Sequence, residues 1–206
     1  MWTLATEKIL LASASPRRLE LLRQLNIPVS QLSLPVLGDD EPRLTGETVI
    51  DYVMRTSSDK NLRARQYVAE QAPMLEGLPI LTGDTTVAIG QNILGKPFDD
   101  DDAKRILSQL SAQTHDVFSA VSISWHGQTR HVLSHSRVTF GELTQNQIQA
   151  YVRSGEHQGK AGAYGIQGYA ASFISRIEGS YTGIVGLPLY ETTQMLQIMG
   201  LLTAEG

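Results

Sequence analysis

Apolar positions along this chain of 206 residues switch between two spacings, and each switch marks an element. A short apolar run, Ile9-Leu10-Leu11-Ala12, predicts a strand over 8–12, and the spacing from Leu19 to Leu25 predicts a helix over 16–25. Ser15 suits the N-cap of that helix and Pro16 its first position. Residues 31–36 predict a second strand, 38–46 a polar loop, and 47–71 a long helix stopped by Pro73. Residues 79–89 and 93–96 predict a hairpin around Gly90-Gln91-Asn92. A helix over 100–110 follows, then two β-rich runs, 115–126 and 129–140, joined at Gly127-Gln128. Thr144 caps a short helix that stops at Gly155, a glycine-rich loop spans 155–168, and 169–177 predicts a strand. The last helix, over 188–199, has Pro188 near its start. Strands and helices mixed in this way predict an α/β or α+β fold with a mixed sheet.

The length suits one α/β domain or two small lobes, and no repeat, low-complexity tract or linker divides it. A net charge of −4 argues against a general nucleic-acid binder but leaves room for a local positive pocket. The absence of cysteine excludes a disulfide, a thiolate metal site and a cysteine nucleophile, and is compatible with the cytosol. Glu7 and Lys8 interrupt the first apolar run, so the N-terminus reads as part of the fold and not as a secretory signal. No stretch approaches the roughly 18 apolar residues of a membrane span.

Ser13-Ala14-Ser15-Pro16-Arg17-Arg18 is the segment richest in chemistry. Arg17 and Arg18 fall in the first turn of the predicted helix, where the dipole disfavours cations by roughly 0.3–1 kcal/mol each. A phosphate would offset both, accepting bonds from helix N–H groups, serine hydroxyls and guanidinium forks. Asp84 lies inside the apolar strand Leu81-Thr82-Gly83-Asp84-Thr85-Thr86-Val87, so it must be exposed, paired or metal-bound. With a three-residue hairpin turn, Thr86 faces Lys96, and Asp84 and Lys96 are diagonal neighbours at about 7–8 Å on one face. A two-residue turn puts them on opposite faces. Glu41 is a loop carboxylate and Lys60 a helix lysine, each an ordinary solvated group on sequence alone. The loop Lys160-Ala161-Gly162-Ala163-Tyr164-Gly165-Ile166-Gln167-Gly168 allows close backbone approach to a ligand, with a ring to stack and an amide for base edges. Asp99-Asp100-Asp101-Asp102 reads as acids favoured at a helix N-terminus and not as a metal cluster. The five histidines form no HxxxH on a helix, no GxxxxGK[ST] occurs, and no serine sits in a nucleophile elbow.

Those segments, with Gly83-Asp84-Thr85-Thr86-Val87, Gly95-Lys96-Pro97, Ala163-Tyr164-Gly165-Ile166-Gln167-Gly168 and Gly183-Ile184-Val185-Gly186-Leu187-Pro188-Leu189, stand in the order found in the Maf family, which the chain resembles from end to end. The resemblance implies one Maf-like domain over 1–206: an elongated mixed sheet flanked by helices, with two lobes around a nucleotide cleft. It also implies hydrolysis of a nucleoside triphosphate between the α and β phosphates, dependent on Mg²⁺ or Mn²⁺, by a cytoplasmic homodimer that engages neither nucleic acid nor membrane. Carried over by position, Asp84, Lys96 and Glu41 are the expected catalytic residues, and Glu41 and Asp84 the metal ligands. Ser13, Arg17, Arg18, Lys60 and Gln167 are expected to bind substrate. The AYGIQG form resembles the branch acting on dTTP and UTP, including modified pyrimidine nucleotides. A 7-methyl-GTP or purine pyrophosphatase, and a nucleotide-sensing regulator of septum formation without turnover, are the alternatives. Around Lys60 the chain departs from the family's Arg-Leu-Ala-x-x-Lys-Ala, reading Arg55-Thr56-Ser57-Ser58-Asp59-Lys60-Asn61, and Thr82 stands where an apolar residue is usual.

Overall fold

Side-chain caps set where the helices begin. Ser15 accepts from Arg18 N and starts α1 (Pro16–Arg23), with Pro16 in the first turn. Thr48 and Asp51 form a reciprocal capping box for α2 (Val49–Gln71). Asp99 caps α3 (Asp100–Leu110), Thr144 and Gln147 box α4 (Gln145–Arg153), and Ser180 caps the short α5 (Tyr181–Val185). Pro188 precedes α6 (Leu189–Ile198). The computed structural model describes residues 1–35 and 41–204.

The strands are β1 (Trp2–Leu4), β2 (Ile9–Leu11), β3 (Val29–Gln31), β4 (Ile80–Ile89), β5 (Asn92–Leu94), β6 (Thr114–Trp125), β7 (Gln128–Phe140), β8 (Ile174–Glu178) and β9 (Leu202–Ala204). Seven of them make one mixed sheet in the order β3-β2-β4-β6-β7-β8, with β5 added to β4. β3, β2 and β4 run parallel, and every pairing from β4 onward is antiparallel. β1 and β9 form a separate antiparallel pair that ties the chain ends together. The fold is thus α/β: a central mixed sheet flanked by helices.

Side chains alternate across a strand, so β4 feeds two cores. Leu81 and Val87 join the main core with Leu21, Leu22, Leu107 and Ile184. Ile80 and Ala88 face α2, beside Ala64, Val68, Val49 and Val53. The strand predicted over 31–36 lies instead at 29–31. Its parallel register with the short β2, Ile9↔Val29 to Leu11↔Gln31, ends where β2 ends. Val36, residue 37 and the first residues of the predicted loop, 38–40, lie outside the described residues. The stretch predicted as a strand over 169–177 is a 3-10 turn through Phe173, which buries Ala170 and Phe173 before β8 begins at Ile174.

The hairpin also differs. The ladder runs Val87↔Leu94, Ala88↔Ile93 and Ile89↔Asn92, a two-residue turn at Gly90-Gln91. Gly90, at φ 59°, supplies the left-handed backbone such a turn needs. Lys96 therefore lies two residues beyond the end of β5, and the pairing with Thr86 that a three-residue turn would give does not form.

Candidate active site

β4 is the spine of the site. Asp84 points to the α2 side, where its carboxylate is 15 % exposed and its Oδ1 accepts from Lys60 Nζ at 2.6 Å. Thr86, two residues along the same face, donates to Oδ2 at 3.3 Å. Lys60 also meets Glu41 Oε2 at 3.0 Å, and Glu41 Oε1 accepts from Arg63 Nη2 at 2.7 Å. Tyr52, Thr56 and Lys60 recur at helical spacing with Arg63 one turn further, so α2 presents them along one side. Burial alone would raise the Asp84 pKa. The charges of Lys60 and Arg18, with bonds from Lys60 and Thr56, outweigh it and hold the carboxyl below its ordinary range. Burial also raises the Tyr52 hydroxyl, helped by the negative charges of Asp84 and Glu41.

The segment that presents Glu41 is pinned to α2. Arg55 Nε and Nη2 grip the Glu47 carboxylate at 2.6 and 2.9 Å, and Nη2 reaches Pro42 O at 3.1 Å. The Arg55 bonds draw the Glu47 carboxyl down to about 2.

On the opposite face of β4 lies Arg18. Its Nε donates to Gly186 O at 2.8 Å, Nη1 to Ser13 Oγ at 3.2 Å and Nη2 to Thr85 Oγ1 at 3.1 Å. Thr85 Oγ1 shares a 2.9 Å bond with Ser119, which donates to Gly183 O at 2.7 Å. Gly83 makes room for this crossing: a Cβ there would stand 3.2 Å from Arg18 Nε and 3.3 Å from Ala120 O. Burial lowers the Arg18 pKa, and the fields of Asp84 and Glu41 oppose that shift.

Arg17 is half-buried and within the electrostatic reach of Arg18 and of Lys160, at the head of the glycine-rich loop. That loop packs beside β4 and β5, with Gly162 N donating to Gly95 O at 3.1 Å. Tyr164 OH bonds His115 Nε2 at 2.8 Å, and Gly165 N donates to Tyr151 OH at 3.3 Å. Gln167 is exposed on the loop, and Lys96 is exposed just before Pro97.

The structure thus joins Glu41, Lys60 and Asp84 by direct contact, joins Ser13 to Arg18, and brings the fields of Arg17 and Arg18 to the same place. Lys96 and Gln167 are held on neighbouring loops. Arg63, Tyr52, Thr85 and Lys160 escaped sequence reasoning. The helical spacing of Tyr52, Thr56 and Lys60 was the available signal for the first two. A groove of about 430 Å³ between β7 and α6, lined by Val132, Tyr190 and Met195, contains none of these residues.

Among the described residues, no group of three or more His, Asp or Glu stands ready to hold a metal ion. Glu41 and Asp84 nevertheless converge on one ammonium. Two carboxylates completed by phosphate oxygens suit a hard divalent cation, which takes one or two protein carboxylates beside substrate.

Fold and site together are those of an α/β protein that gathers cations around one partly buried carboxylate. Residues 8–199 match the model of the Maf-like protein family, and the chain belongs to that family. It is 47% identical over 202 residues to the dTTP/UTP pyrophosphatase of Bordetella parapertussis, covering 97% of each chain. It is 48% identical over 200 residues to the dTTP/UTP pyrophosphatase of Cupriavidus metallidurans, covering 95% of this chain and 98% of that one. The solved Staphylococcus aureus Ham1 protein aligns at TM-score 0.40 and 13% identity over 65% of this chain and 71% of that chain, too loose a match to define a fold.

Proposed function

We propose that this protein hydrolyses dTTP and UTP, with water, to the nucleoside monophosphate and pyrophosphate, in a house-cleaning role that extends to modified pyrimidine nucleotides. The observation that carries the reading is Asp84: an ionised carboxylate in a strand, held at 2.6 Å by Lys60 and within the field of Arg18. The near full-length relatives named for this activity support it.

A triphosphate carries about four negative charges at neutral pH, and Arg17, Arg18, Lys60 and Lys96 would spread positive charge along it. The N–H groups that open α1, with Ser13, would hold one phosphate. Gln167 would meet the base edge. Asp84 would orient a water for in-line attack on the α phosphorus and accept its proton, while the α–β bridging oxygen leaves with pyrophosphate. A carboxyl held this low is a weak base. Phosphate charges beside Lys60 and Arg18 would offset their fields and raise its basicity when substrate binds. Glu41 and Asp84 would hold Mg²⁺ or Mn²⁺, which when bound supplies charge neutralisation on the phosphates. By resemblance we read the whole chain as one domain with two lobes around the cleft, working as a cytoplasmic homodimer. No helix among the described residues is long and apolar enough to cross a membrane.

The test is a panel of dTTP, UTP, 7-methyl-GTP and purine triphosphates, each with Mg²⁺ and with Mn²⁺, scored for released pyrophosphate. Preferential release from dTTP and UTP is expected. Preference for 7-methyl-GTP or a purine would move the chain to another branch. Tight binding without release under either ion would make it a sensor.

A further inference from the structure

Helix-on-sheet contacts are usually apolar, yet between α2 and the sheet this protein buries a polar seam. Asn61, Ser57, Thr82 and Ser122 are each no more than 1% exposed. Asn61 Nδ2 donates to Ile80 O on β4 at 3.0 Å and to Ser122 O on β6 at 3.2 Å. Ser57 Oγ shares a 2.9 Å bond with Ser122 Oγ, and Thr82 Oγ1 donates to Ser57 O at 2.9 Å. Ser122 Oγ lies 2.8 Å from His131 Nδ1, which leads the seam to the surface. Asn61 Oδ1 is buried and has no partner.

Stability alone does not account for this arrangement. An unpartnered buried carbonyl costs free energy, and that cost offsets part of what the two donated bonds contribute. Directional bonds do what apolar packing does not: they fix the rotation and rise of a helix against the strands beneath it. Asn61 directly follows Lys60, and Ser57 sits one turn earlier, so the bonds bracket the lysine. An α-helix is about 10–12 Å across, so a rotation of roughly 20° moves a side-chain tip by about 2 Å. That is enough to break the 2.6 Å contact between Lys60 and Asp84.

We propose that Asn61, with Ser57, Thr82 and Ser122, is a positioning residue that clamps α2 to β4 and β6 and so aims Lys60 at Asp84. The catalytic consequence rests on the pyrophosphatase reading; the clamp itself does not.

Asn61→Leu keeps the branched shape, though its methyl groups are larger than the amide, and removes both donors and the orphan carbonyl. Its kcat on dTTP is expected to fall about tenfold, since a misplacement near 1 Å can cost up to about 10²-fold. In a Lys60→Met background the same change should cost less than about twofold, because the clamp then has nothing to aim. Equal penalties in both backgrounds would overturn the proposal. Should Asn61→Leu fold poorly, Ser57→Ala removes a single hydroxyl and should move kcat the same way by less. An independent readout is the ¹³C signal of reductively dimethylated Lys60, identified by its loss in Lys60→Arg. It should move toward that of an exposed lysine in Asn61→Leu, and an unchanged signal overturns the clamp. A wild-type protein that releases no pyrophosphate while the signal still moves overturns the functional reading and leaves the clamp standing.

Discussion

On the face of β4 turned to α2, Asp84 meets Lys60 at 2.6 Å, Lys60 meets Glu41 at 3.0 Å, and Glu41 meets Arg63 at 2.7 Å. On the other face, one residue along, Thr85 helps to hold Arg18, whose bonded partners are neutral: a carbonyl and two hydroxyls. The first face sets each charge with another charge. The second fixes a cation without neutralising it by contact, so its positive field is left for an incoming anion. Carboxylates bonded directly to Arg18 would have placed it as firmly, but a phosphate would then have to compete for it. A single strand thus separates the carboxylate we propose as the base from the arginine we propose as a phosphate ligand.

The sharpest way to break that division is Asp84→Asn. The amide keeps the shape and loses the charge, and kcat on dTTP should fall by about 10²–10⁴, the range of acid–base groups. Turnover at the wild-type rate would remove Asp84 from the chemistry. The two arginines come next. Arg17→Ala should lower kcat/KM by about 10–10²-fold, as expected for a charged phosphate contact of about 1.5–3 kcal/mol, with little change in melting temperature. Arg18→Lys should do the reverse in part. A lysine ammonium cannot span Gly186 O, Ser13 Oγ and Thr85 Oγ1, so about 2 kcal/mol of bonding is lost and melting falls by about 4–8 °C. If thermal melts and steady-state kinetics show Arg17 carrying the stability and Arg18 none, the brace has been assigned to the wrong residue.

Local chemistry explains what the sequence disclosed. Ser15, Asp99 and Thr144 start their helices because an N-cap needs only a side-chain oxygen and the next turn of backbone. Asp84 stood out because a carboxylate inside an apolar strand demands a partner. The partner's identity was hidden. Lys60 and Asp84 are far apart in the chain, and only the docking of α2 brings them together. Helical spacing set Arg63 beside Lys60, but its partner Glu41 comes from a distant segment that Arg55 holds against α2 at Pro42 and Glu47. The hairpin register turned on which residues occupy the turn, and one residue fewer there removes the expected pairing of Lys96 with Thr86. Of the polar residues around Lys60 that depart from the family pattern, Ser57 and Asn61 belong to the buried seam with Thr82 and Ser122, while Thr56 donates to Val53 O within α2. Pairing of β1 with β9 joins the chain ends, a contact that periodicity does not encode.

The braced face makes one further prediction, the smallest in size, through the loop that carries Gln167. His115 stands on the same face of the sheet as Thr85, is 1% exposed, and holds Tyr164 of that loop at 2.8 Å. Phe140 packs edge-on against it at 5.2 Å. Burial penalises the imidazolium and, partly opposed by Asp116, pulls the His115 pKa from 6.5 to about 4. Between those values the unfolded chain binds the proton and the folded protein does not, so stability rises with pH. The contribution is complete above pH 6.5, declines as pH falls toward 4, and changes no further below that. At about pH 5.5 the loss is about 1 kcal/mol, or roughly 2–4 °C for a protein of this size. His115→Gln keeps a polar group near Tyr164 but cannot take up the proton. The difference in melting temperature between wild type and variant should therefore shrink or change sign from pH 7.5 to 5.5, since other titrating groups cancel in the comparison. Parallel losses in the two proteins would mean that the histidine accepts its proton without disturbing the loop, and that this face is less tightly braced than its bonds imply.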